Sequence, residues 1–276
     1  MPAIKPDRLR VCAVSFLNTT PLVWGMLHGP QRGLFELDFR IPAECADRVA
    51  AGDADVGIIP SFELTRQDLD VIPGAGIACH GAVRSILLVS SRPAPEIRTL
   101  AADSSSRTSV ELAHLILERR YGAAPESAPH APDLEAMLAI ADAALIIGDP
   151  ALHIDPERLP GRHVYDLGAE WWEMTGLPMV FAVWAGRKGA VSAEAAEAFR
   201  GSCRYGCERT EEIVAAEAAR RGFAPELVRE YLTRRIVHEL GAKDYEGMEL
   251  FLRMARETAS RRANAAGRRD RSGMAV

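Results

Sequence analysis

One pattern of elements runs through this chain twice, and the repeat limits the folds open to it more than any other feature. In the first pass, a strand at residues 9–14 leads into the loop Ser15-Phe16-Leu17-Asn18-Thr19-Thr20-Pro21. A helical run at 22–27 follows, with Pro21 suited to its first turn. A short strand at 37–41, a helix at 44–51 stopped by Gly52, and a buried strand at 56–59 closed by Pro60-Ser61 complete the pass. In the second pass, strand, Ser-rich loop and helix recur over 100–117. A helix at 134–140 and a strand at 144–147, closed by Gly148-Asp149-Pro150, come next. Ser15 and Ser104 open the two loops 89 residues apart, and Pro60 and Pro150 lie 90 apart. Strands alternating with helices predict an α/β fold. Their repetition predicts two related lobes.

The remaining segments suggest how the lobes join. Residues 85–90 form a continuous apolar run, which suits a strand in a parallel sheet. Residues 180–185 read as a late strand. Beyond them, 191–204, 208–221, 225–239 and 244–260 carry apolar residues at helical spacing. Residues 261–276 are small, polar and basic, and read as a disordered tail. The simplest assembly is a clamshell, with the chain leaving lobe one after about Ser91 and returning near Phe181. Residues 1–92 and 183–276 then make lobe one, and 93–182 make lobe two. In open α/β sheets, ligands bind beyond the carboxyl ends of the strands. Both loops and both Pro-terminated strands fall there, facing each other across one cleft.

Charge and composition remove several classes. A net charge of −5 argues against a nucleic-acid partner. No apolar stretch approaches a membrane span, so no membrane partner is expected. No apolar signal core precedes Leu9, which points to the cytoplasm. Cys12, Cys45, Cys79, Cys203 and Cys207 are odd in number and scattered, unlike a disulfide framework. Cys203 and Cys207 share a helix face without ligand partners at metal spacing, so they read as packing residues and no metal is expected.

The segment Asp103-Ser104-Ser105-Ser106-Arg107-Thr108-Ser109 stands where a strand gives way to a helix. The first N–H groups of a helix have no internal partner and favour negative charge. Ser104, Ser105, Ser106, Thr108 and Ser109 exceed what one cap requires, so the loop reads as a cradle for a carboxylate or phosphate. Arg107 suits either a carboxylate clamp or a solvated position beside the helix start. Ser15, Asn18, Thr19 and Thr20 offer a second cradle, or ordinary capping. Ser61, Gly148 and Asp149 end strands at the cleft, and Asp149 suits either a substrate hydroxyl or an Asx turn before Pro150. Ser85 opens a core strand where a hydroxyl is unusual. His80 reads as a loop histidine. The pair Trp171-Trp172 suits a wall for a ring-shaped ligand or hinge packing.

Five segments extend this reading through a resemblance. They are Ser15-Phe16-Leu17-Asn18-Thr19-Thr20-Pro21-Leu22, Val83-Arg84-Ser85-Ile86-Leu87-Leu88, the 103–109 block, Ile147-Gly148-Asp149-Pro150-Ala151-Leu152, and Glu170-Trp171-Trp172-Glu173-Met174-Thr175-Gly176-Leu177-Pro178. Together they resemble the chorismate dehydratases of the futalosine route to menaquinone, within the type II periplasmic-binding-protein folds. The resemblance spans most of the chain up to Trp184, and the C-terminal third matches in character only. It implies loss of water from chorismate to give 3-[(1-carboxyvinyl)oxy]benzoate, with no metal or redox cofactor. It implies that Ser104 to Thr108 hold one carboxylate while Asn18 and Ser85 position the reacting face. The matched motifs contain no evident basic side chain, which is compatible with the substrate's own enolpyruvyl carboxylate acting as base. A homodimer is compatible with this reading. Rival readings are the 1,4-dihydroxy-6-naphthoate synthase of the same route, a solute-binding protein for a small carboxylate, and a ligand-sensing domain.

Overall fold

A computed structural model of the chain describes residues 8–273, with side chains through residue 259. Residues 1–7 and 274–276, on which part of the reading of both termini rests, lie outside it.

Two five-stranded sheets carry the fold, and each is flanked by helices. The first half begins with β1 (Arg10–Val14), α1 (Thr20–His28), β2 (Glu36–Arg40), α2 (Pro42–Ala51), β3 (Val56–Pro60) and β4 (Leu69–Cys79). The second contains β5 (Ile86–Ser90), β6 (Thr99–Asp103), α3 (Arg107–Tyr121), β7 (Glu126–His130), α4 (Leu134–Ile140), β8 (Ala143–Ile147), the short α5 (Gly148–Leu152) and β9 (His163–Asp166). The chain returns through α6 (Leu167–Thr175) and β10 (Met179–Arg187). It finishes with α7 (Ala193–Cys207), α8 (Thr210–Arg221), α9 (Pro225–Glu230) and α10 (Ala242–Gly273). Pro21 and Pro42 sit in the first turns of their helices, where no N–H is required. Gly52 ends α2 at φ 80°, a left-handed conformation that glycine adopts without strain.

The strand orders are β2-β1-β3-β10-β4 and β7-β6-β8-β5-β9. In each sheet the first three strands are parallel, and the fourth runs antiparallel to its neighbours. The sequence repeat is therefore a repeat of topology, with β6, β7 and β8 taking the places of β1, β2 and β3. Buried strands such as β3 and β8 are apolar throughout because helices cover both faces.

Several expectations are corrected. The strand at 86–90 is antiparallel to both β8 and β9, not part of a parallel run. Its continuous apolarity reports burial on two faces, which says nothing of direction. It also belongs to the second sheet, whereas Met179 already pairs with Cys79 in the first. The sheets therefore divide after Cys79 and before Met179, not at 92 and 183. A fully apolar strand fits the centre of either sheet, so composition does not locate the crossing. The expected helix at 225–239 breaks after Glu230 into a π-turn, Tyr231–Arg235. Val237 then runs extended beside β4, exchanging hydrogen bonds with Ala78 at 2.8 and 2.9 Å. The backbone of α10 continues to Gly273, where a disordered tail was expected from residue 261. No helix among the described residues is long and apolar enough to cross a membrane.

Candidate active site

The carboxyl ends of the two parallel strand sets face each other, and the lobes are closed. Between them lies a small cavity of about 50 Å³. Asn18, Thr19 and Phe16 enter it from the first loop, and Ser106 and Ser109 from the second. Ser85 and Gly148 line its second-lobe side, and apolar walls come from Ile58, Ile77, Ile147 and Phe181. Among the lining residues, none carries a formal charge. The polar part of the lining is thus hydroxyls and one side-chain amide, with no cation.

Local folding explains where these groups stand. Ser106 is the N-cap of α3, and its Oγ accepts from the backbone N–H of Ser109 at 3.2 Å. Its hydroxyl in turn donates to Ser109 Oγ at 2.8 Å. The N–H groups of the first turn, which a helix cannot satisfy internally, start at the same edge. Ser85 is set by a strained turn: Arg84 adopts φ 68°, the only non-glycine residue with positive φ among those described. The Asp166 carboxylate accepts from the backbone N–H groups of Val83 at 2.9 Å and Arg84 at 2.6 Å, and also caps α6. The Arg84 guanidinium donates to the carbonyls of Ala151 and Ile154. Such a left-handed residue costs on the order of 1 kcal/mol or more, offset here by these bonds.

The remaining expected residues are placed elsewhere. Arg107 turns out of the cavity, pairing with Asp47 of α2 at 2.7 Å and with the buried Glu63 at 3.2 Å. Thr108 Oγ1 accepts from the Phe62 N–H at 3.1 Å, and Ser61 Oγ donates to the Val180 carbonyl at 2.7 Å. Ser105 Oγ donates to Asp103 at 2.6 Å, and its carbonyl accepts from Ala43 N–H at 3.1 Å. Ser104 is exposed and lines a separate outer pocket with Arg66 and Glu111. Ser15 is also exposed, and its carbonyl accepts from Arg221 at 2.9 Å. Asp149 accepts from the Leu17 N–H at 2.9 Å and pairs with Arg221 of α8. Half of the Ser-rich block thus fastens one lobe to the other instead of facing a ligand. His80 contacts Asp244 at 2.8 Å, and Trp171 is buried with its indole N–H on the Pro178 carbonyl, both away from the cavity lining.

Sequence reasoning missed the residues behind the cavity. Tyr231, in the π-turn, is 1% exposed, and its hydroxyl donates to Ser85 Oγ at 2.7 Å. Burial pushes its phenol pKa up, so it stays protonated. His238 Nε2 meets the Asn18 carbonyl at 2.8 Å. Phe16 stands over Gly148, where a Cβ would come within 2.6 Å of its ring.

Two lobes, twice-crossed, with a closed cleft at the strand ends define a periplasmic-binding-protein-like fold. Solved structures agree: a protein from Archaeoglobus fulgidus matches with a TM-score of 0.69 at 19% identity, over 93% of this chain and 98% of its own. The aliphatic sulphonate binding protein SsuA of Escherichia coli matches at 0.63 and 16% identity, over 94% and 89%. Within that class, the family model for menaquinone biosynthesis matches residues 9–257, and the chain belongs to this family. It is similar to the chorismate dehydratase of Thermus thermophilus, with 32% identity over 234 residues, covering 79% of this chain and 85% of that protein.

Proposed function

We propose that the protein is a chorismate dehydratase, a hydro-lyase acting in the cytoplasm on a small dianion. The observation that carries this reading is the convergence of Asn18 from one lobe and Ser85 from the other on a cavity edged by the first turn of α3. Family membership and the Thermus thermophilus relative supply the reaction.

The chemistry suits the cavity. The ring C–H beside the enol ether is vinylogously acidified by the ring carboxylate. As the proton leaves, its electron pair spreads toward that carboxylate. In this reading Ser106, Ser109 and the start of α3, which border the cavity, receive the growing charge. The C–O bond to the neighbouring hydroxyl then breaks, the oxygen picks up the abstracted proton and leaves as water, and the ring becomes aromatic. Asn18 and Ser85 hold the reacting face. The substrate's enolpyruvyl carboxylate takes the proton, an intramolecular transfer that gains from fixed geometry. Apolar walls exclude bulk water and strengthen each of these hydrogen bonds.

The test is direct. Purified protein mixed with chorismate should yield an aromatic dicarboxylate lighter by one water, seen by chromatography with mass detection. Absence of conversion above the uncatalysed background rejects the assignment. Turnover of the cyclic futalosine derivative instead would identify the naphthoate synthase reaction, and binding without turnover would identify a solute-binding protein.

A further inference from the structure

We propose that Tyr231 is a positioning residue for this reaction, fixing the hydroxyl proton of Ser85 toward the substrate; the inference rests on the dehydratase reading above. A serine hydroxyl has one proton and rotates freely unless a partner fixes it. Tyr231 is such a partner, since its phenol donates to Ser85 Oγ at 2.7 Å and so occupies an oxygen lone pair on the side away from the cavity. Ser85 itself is 1% exposed and lines the cavity. Its own proton is therefore left to point into the cavity, where the departing hydroxyl of the substrate needs a donor.

Burial keeps the phenol protonated, so it has a proton to give to Ser85. Tyr231, Ser85 and the substrate then form one directed chain, starting at the phenol. Each donor in such a chain polarises the next, so the last bond is stronger than a lone serine would make.

The backbone around Tyr231 is built to hold it. The π-turn is closed by Ile236 N–H on the Tyr231 carbonyl at 3.1 Å and braced by Arg235 on Glu230 at 2.6 Å. Wide turns of this kind recur at functional sites. Immediately after the turn, Val237 is pinned to β4 and His238 to the Asn18 carbonyl. One strap, 231–238, thus touches both residues assigned to the reacting face.

The experiment compares the full chain with Tyr231→Phe, Ser85→Ala and the double variant, measuring kcat, KM and thermal unfolding with chorismate. Tyr231→Phe should lower kcat about tenfold with KM little changed. Ser85→Ala should lower it more, and the double variant should fall no further than Ser85→Ala, as expected if the phenol acts through the serine. Additive losses, or an unchanged kcat in Tyr231→Phe, overturn the positioning role while the dehydratase reading stands. An inactive wild-type protein overturns both. Should Tyr231→Phe fail to fold, a fluorinated, more acidic tyrosine at 231 replaces it. Its rate should then fall at lower alkaline pH than the wild-type rate, and an unmoved profile rejects the role.

Discussion

Phe16 and Gly148 are fitted to each other across the cleft: the aromatic ring fills the space where a Cβ on Gly148 would begin, at 2.6 Å. Gly148 also sits at φ 64°, and its N–H donates to the Ser85 carbonyl at 2.8 Å. Gly148→Ala therefore meets both a backbone penalty and a clash at the cavity wall. The expected result is a loss of about 1–3 kcal/mol in unfolding free energy, with a raised KM for chorismate. Denaturant titration and steady-state kinetics check it; a variant with native stability and KM would show that the lobes do not close this tightly.

Asn18→Ala and Ser85→Ala each remove a polar group from the cavity, and Ser85→Ala also removes the partner of the buried Tyr231 hydroxyl. Both should stay folded and lose turnover by about 100-fold, the usual effect of deleting a donor aimed at developing charge. Rates with chorismate and far-ultraviolet circular dichroism separate loss of chemistry from loss of fold. Unchanged rates would remove the residue from the mechanism.

Arg107 is a lobe latch, paired with Asp47 and Glu63 rather than with a ligand. Arg107→Ala should lower kcat/KM by about tenfold, through weaker closure. Asp47→Ala should have a smaller effect in the same direction, because Asp47 is largely exposed and Glu63 remains. A loss of more than about a thousandfold in Arg107→Ala would instead show the guanidinium holding substrate.

Asp55 ties three strands together at the end of the first sheet far from the cleft. Arg10 binds it through its guanidinium and backbone N–H, and Arg187 adds a contact at 2.6 Å. These partners, Arg10 foremost, hold the Asp55 carboxyl well below the usual carboxylate range. A depressed folded-state pKa gives stability that is complete above the unfolded value, near 4. That stability is lost as pH falls from there toward the lower folded value. Asp55→Asn should therefore be less stable by about 1–2 kcal/mol at neutral pH, with the difference shrinking below about pH 4. Melting temperatures of the two proteins from pH 3 to 7 test this, and kcat should be the same in both.

The repeat of strand, hydroxyl loop and helix was legible because each element is punctuated locally, by Pro21, Gly52, Pro60 and Pro150. Those signals act over a few residues and survive any tertiary arrangement. The strand at 69–79 was not legible, since Pro73, Gly74 and Gly76 interrupt an edge strand that solvent and the strap at Val237 complete. Asn18, Thr19, Ser85, Ser106, Ser109 and Gly148 do meet in one cavity, because position at a strand end fixes them. Arg107, Thr108 and Asp149 occupy similar sequence positions yet bond across the lobes, while the Ser61 and Ser105 hydroxyls turn to Val180 and Asp103 of their own lobes. Which way a side chain turns depends on partners such as Asp47, Phe62 and Arg221, which are remote in the chain. Tyr231 stayed hidden for a related reason: its apolar neighbours Val228 and Leu232 keep helical spacing through a turn that is not α-helical.

The place of β10 between β3 and β4 sets an order on how the molecule can be made. Every strand of the second sheet lies in one unbroken stretch, residues 86–166, so that sheet can finish while the ribosome is still working. The first sheet begins earlier yet must wait, open at its middle, until residues 179–187 emerge and slide into the gap. Pairings that span so much chain are slow to form. A chaperone or a pause in translation would matter most in that interval, when β3 and β4 are synthesised but still apart.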